Sequence, residues 1–156
     1  MTTLKKYVII IIENKERGKI MGLDNGIVLK AKTSRGIEYL AENHDFYFYG
    51  NDNEIGYWRK CWNIRREILN AFDDKGYDGN GGYINLTSVE DLVNMAETLK
   101  YFLREENWEE EESIWDWYIE LPAIANPIKK LRYLIEDIEN ENVSIDDLNI
   151  YFYDSY

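Results

Sequence analysis

Cysteine, histidine and proline are scarce in this chain: one, one and two among 156 residues. Basic residues, 18 against 30 acidic, are also in short supply. Each shortage closes off a class of function. A lone Cys61 cannot form a disulfide within the chain, which fits a reducing cytoplasm. With only His44 and no paired cysteines, the ligands of a zinc site are missing, so no metal and no cofactor is expected. A net charge of −12 works against nucleic-acid backbones and anionic membranes, both of which are met by basic faces. It suits a basic protein partner, mimicry of nucleic acid, or plain solubility. The apolar run Tyr7 to Ile12 is too short to span a bilayer, so no membrane role is expected.

What is abundant is aromatic: thirteen tyrosines and five tryptophans, with 45% of residues hydrophobic. That composition folds, and the length fits one domain. Residues 1–20 stand apart. Lys5 and Lys6 before an apolar run resemble the start of a signal peptide, but no small-residue cleavage site follows. Glu16 to Lys19 can be spelled by purine-rich codons of a ribosome-binding sequence, so Met21 is a second candidate start and 1–20 an upstream extension. The domain proper is read as 21–156.

Within it, alternation or aromatic content predicts strands near 26–32, 45–49, 83–86 and 148–153, while 37–43 is ambiguous. Residues 73–82 are glycine-rich but lack the Lys-Ser/Thr ending of a phosphate loop, and read as a long connection. Thr87 with Glu90 reads as a capping box opening a helix that buries Leu92, Met95, Ala96 and Leu99. Asn126-Pro127 reads as the start of a helix with Ile128, Leu131, Leu134, Ile135 and Ile138 on its buried stripe. The fold class expected is α+β: one domain, a small and mainly antiparallel sheet packed against three or four helices.

The stretch with the most chemical content is Glu54–Phe72, read as one amphipathic helix capped by Asp52 or Asn53. At about 100° per residue, Trp58, Cys61, Trp62, Ile68, Leu69 and Phe72 share an arc, with Arg65 near its middle. A buried guanidinium needs an anion, since leaving it unpaired costs about 3–5 kcal/mol. Two sources are open. One is internal, an ion pair with Asp24 or Asp154. The other is a small phosphorylated ligand, with indole and phenol rings stacking on its base and guanidinium forking onto its phosphate.

Met21-Gly-Leu-Asp-Asn-Gly-Ile27, Tyr57-Trp-Arg-Lys60 and the ending Tyr151 to Tyr156 together resemble a family of small bacteriophage and prophage proteins that begin Met-Gly-Leu-Asp and carry Tyr-Trp-Arg-Lys in a helix. The resemblance brings no established activity. It implies a phage accessory protein in the cytoplasm of an infected bacterium, and many such proteins block host defence.

The function expected is therefore non-enzymatic: an anti-defence protein that sequesters a small anionic, nucleotide-type ligand. Tyr57, Trp58, Arg59, Trp62 and Arg65 would form the pocket, with Asp24 positioning Arg65. The alternative is an acidic inhibitor of a basic host protein or nuclease, using the acidic and tryptophan-rich segment Glu105–Glu120. A nucleotide hydrolase built on His44 or on carboxylates ranks third, because no nucleophile accompanies the histidine. The sequence leaves homo-oligomerisation open.

Overall fold

In the computed structural model, which describes residues 23–48, 53–76, 83–104 and 121–155, the chain is built on β1 (Asp24–Ala31). Leu23, Ile27 and Leu29 are fully buried, so β1 is an interior strand. It pairs antiparallel with β2 (Glu54–Arg59) on one side and β4 (Leu148–Ser155) on the other. β3 (Tyr83–Asn85) adds to β4, giving the order β2-β1-β4-β3. Burial alternates cleanly along β4: Leu148, Ile150, Phe152 and Asp154 face inward, while Asn149, Tyr151 and Tyr153 face the other way.

Five α-helices are described: α1 (Ser34–Glu42), α2 (His44–Tyr47), α3 (Trp62–Ala71), α4 (Val89–Lys100) and α5 (Leu121–Glu139). Their buried residues, among them Tyr39, Ile64, Ile68, Leu92, Leu99 and Leu131, form one core with the inner face of the sheet. The architecture is α+β, as the sequence implied.

Several local expectations are corrected. Glu54–Phe72 is not one helix. Its first third is β2, the chain then turns at Lys60 in a left-handed conformation (φ 59°), and only Trp62–Ala71 is helical. The Lys60 N–H donates to the Leu23 carbonyl, which ties that turn to the start of β1. Residues 45–48 of the expected strand 45–49 are not a strand, and Tyr49 lies outside the described residues. One turn of helix carries Tyr47 and the adjacent Phe48 both inward, which a period of two cannot do. The ambiguous 37–43 belongs to α1, capped by the Thr33 hydroxyl accepting from Gly36 N–H. The cap of α4 is one residue later than expected: Ser88 accepts from Asp91 N–H, and the Asp91 carboxylate accepts from Thr87 N–H.

The largest shift concerns Pro127. It does not start α5 but lies inside it, six residues past Leu121. A proline there leaves the carbonyl four residues back without its helical donor. That carbonyl belongs to Ala123, and it accepts instead from the Trp58 indole N–H at 2.9 Å. Gly56 makes the crossing close: a Cβ there would lie 2.9 Å from Pro127 Cγ. Trp58 on β2 thus supplies α5 with the donor that its proline removes. Residues 1–20 and Glu105–Glu120 lie outside the described residues.

Candidate functional site

All six residues singled out from the sequence sit at one end of the sheet, but on its two faces. Pairing sets this directly. Asp24 stands opposite Arg59, and Gly26 opposite Tyr57, on the outer face; Asn25 stands opposite Trp58 on the inner face. Trp62 and Arg65 approach the inner side from α3. The six therefore do not line one pocket.

On the inner side, Arg65 has an anion within the chain. Its Nε donates to Asp154 Oδ2 at 2.5 Å, and the Asp154 side chain has no solvent exposure. The guanidinium also lies 5.7 Å from the centre of the Trp62 ring. Of the two sources open to Arg65, the internal pair is present, and the carboxylate is Asp154. Asp24 does not position Arg65; it accepts from the Tyr57 hydroxyl at 2.5 Å on the opposite face. Trp58 is buried, with its N–H committed to α5. Asn25 and Asn63 are buried too, so the buried polar side chains among the described residues gather at this end of the sheet. The Asn63 oxygen accepts from Arg66. Neither amide atom of Asn25 has a hydrogen-bond partner among the described residues.

The outer face is different in kind. Tyr57, Gly26, Tyr153 and Tyr83 stand in one row across all four strands. The Tyr153 ring lies over Gly26: a Cβ there would meet Tyr153 Cε1 at 2.9 Å and the Gly56 carbonyl at 2.6 Å. Tyr153 reaches across β1 to donate to Glu54 at 2.8 Å. Burial and this carboxylate hold its phenol well above the ordinary value. Tyr57 is pushed up to about 12, first by its bond to Asp24. Lys30 stands 5.8 Å from the centre of the Tyr151 ring, and Tyr151 meets the Tyr83 ring edge-on. Tyr57 and Tyr83 remain 44% and 65% exposed. Arg59 is exposed, and no described carboxylate lies within ion-pair distance of it.

Sequence reading found Tyr57, Arg59 and Asp24 but not Tyr153, Glu54 or Tyr83. Reading Glu54–Arg59 as helix hid them, since a strand there puts Tyr57 and Arg59 on one side and Trp58 on the other.

A cleft of about 500 Å³ lies elsewhere, between α1 and α5, with Glu38, Glu42, Asp137, Glu141 and Arg35 among its lining residues. Four carboxylates against one guanidinium would repel the anionic ligand expected from the sequence. None of the six residues lines it. His44 is exposed at the start of α2, flanked by Asp45 at 3.8 Å. Among the described residues no group of three or more His, Cys, Asp or Glu is placed to hold a metal ion, and no helix is long and apolar enough to cross a membrane. Comparison with known protein families, curated proteins and solved structures returns no match.

Proposed function

We propose that this is a binding protein acting without turnover, and that it takes a small nucleotide-type ligand on the outer face of the sheet. One observation carries the reading: the half-buried Tyr153 ring is laid over Gly26, in one row with the exposed Tyr57 and beside Arg59, an exposed guanidinium with no carboxylate partner among the described residues. A flat phenol ring stacks on a nucleobase whatever the base, worth about 1–3 kcal/mol per stacked ring. A guanidinium alongside forks onto phosphate oxygens. Because screening limits charge effects to about 8–10 Å, Arg59 can hold a phosphate although the whole chain is acidic. Tyr153 and Tyr57 have their hydroxyls tied to Glu54 and Asp24, so the rings are held in place before any ligand arrives. Trp58, Trp62 and the Arg65–Asp154 pair support the sheet from behind.

The biological setting is the one implied by the resemblance to small phage proteins: an accessory protein that removes a host nucleotide signal. The test is a thermal-shift panel of mono-, di- and cyclic nucleotides and ADP-ribose, followed by mass spectrometry of the recovered ligand. A shift is expected with at least one of them, the ligand is expected back intact, and Tyr57→Ala or Arg59→Ala should weaken binding roughly tenfold. No shift with any compound overturns the reading, and a converted ligand would make the protein an enzyme.

A further inference from the structure

We propose that the tyrosine face is also a self-association surface, and that the occupant it fits is the same face of a second copy of this chain. The argument is one of charge. The chain carries −12, so two copies repel over most of their surfaces. On this face Asp24 and Glu54 are matched by Lys30 and Arg59, all four on the outward parity of β1 and β2. Among the described residues it is a locally neutral patch on an acidic protein. A basic partner has no reason to choose it over the acidic remainder, whereas a second copy meets no net repulsion there. A two-fold axis through the patch sets the cations of one copy against the carboxylates of the other, as a self-complementary interface requires.

The apolar part points the same way. Tyr83 and Tyr57 are the large hydrophobic side chains left exposed on the sheet, and tyrosine is enriched where proteins meet. Size then fixes the strength. Four strands spaced about 5 Å apart and up to about 27 Å long give roughly 400–500 Å² per copy. Twice that falls below the roughly 1,200 Å² at which specific stable interfaces begin, in the range of transient encounters, so the dimer is weak and concentration-dependent. The inference goes beyond the ligand reading and stands without it. The two share a surface, and a planar ligand lying on Tyr153 would be enclosed between two copies.

Sedimentation velocity on the full chain from about 5 to about 500 μM, with and without the nucleotide panel, tests it. A shift toward twice the chain mass with rising concentration is expected. Lys30→Glu, which gives the face a net negative charge, and Tyr83→Ser should each weaken association at least tenfold. Ile37→Ser, at an equally exposed apolar position on α1 (64% exposed), should not. Far-UV circular dichroism keeps any unfolded variant out of the comparison. A monomer at every concentration in both conditions overturns the inference, as does a dimer indifferent to both Lys30→Glu and Tyr83→Ser. Nucleotide binding by a persistent monomer would leave the ligand reading intact while removing this one.

Discussion

Asn25 and Arg65 lie at the same end of the sheet and should respond oppositely to substitution. Both amide atoms of Asn25 are buried without partners among the described residues, and a desolvated group left so costs about 1–3 kcal/mol. Asn25→Leu, which keeps the branching and puts two methyl groups in place of the amide, should therefore raise stability by up to about 1–2 kcal/mol, less the cost of its larger volume, read from the urea midpoint. If the variant is instead destabilised, the amide has a role that its surroundings do not reveal. Arg65→Met leaves the Asp154 carboxylate buried without its guanidinium and should lower stability by about 3–5 kcal/mol. The outer face gives a spectroscopic handle. With Asp24 accepting from its hydroxyl, Tyr57 should titrate near 12 rather than at the ordinary 10.0. Asp24→Asn should bring it back toward that value, followed by NMR of ¹³C-labelled tyrosine; an unchanged titration would mean that the Asp24 bond is not what raises it.

Among the elements, the turn before β4 holds α1 in place through one carboxylate. Asp147 accepts from the Thr33 hydroxyl and the Ser144 N–H, and lies 3.7 Å from Arg35. The Thr33 bond chiefly, then the Ser144 bond, hold its pKa below the ordinary 3.8. The unfolded chain thus binds this proton more readily than the folded one, so the stabilisation is present in full above that ordinary value. It disappears as pH falls through the folded value. Asp147→Asn should flatten the acid limb of the stability curve in urea titrations run from neutral pH to pH about 2; an unaltered limb would assign acid sensitivity to other groups. Which elements could be read in advance follows from how local their causes are. β1, β3 and β4 were legible because alternation or apolar content marked them, as in Leu148 to Asp154. β2 was not, because Trp58, Trp62 and Arg65 also satisfy a helical period, and the break at Lys60 is a backbone turn without glycine or proline to announce it. Pro127 misled for the converse reason: its helix continues only because Trp58, 69 positions away, supplies the missing hydrogen bond to Ala123. The candidate site was half legible for the same cause. Tyr57 and Arg59 carry their chemistry in their identity, but their alignment with Tyr153 exists only once β1 lies between them.

For the whole molecule, charge and topology set the behaviour. A chain at −12 is under self-repulsion when folded. Raising ionic strength from about 0.01 to 0.15 M shortens the screening length from about 30 to 8 Å. The melting temperature should therefore rise over that interval, measured by calorimetry, and a fall would mean that attractive pairs such as Lys75–Asp91 outweigh the repulsion. The strand order has a consequence for how the protein is made. β4 lies between β1 and β3, so β1 waits for a strand made after all the other described ones before its second edge is closed. Until then, among the described strands, β1 has only β2 beside it and β3 has no neighbour, and Arg65 lacks Asp154. Synthesis interrupted a few codons before Leu148 would release a chain with two raw strand edges and no Asp154 for Arg65, prey for proteases and aggregation rather than a shortened version of the same molecule.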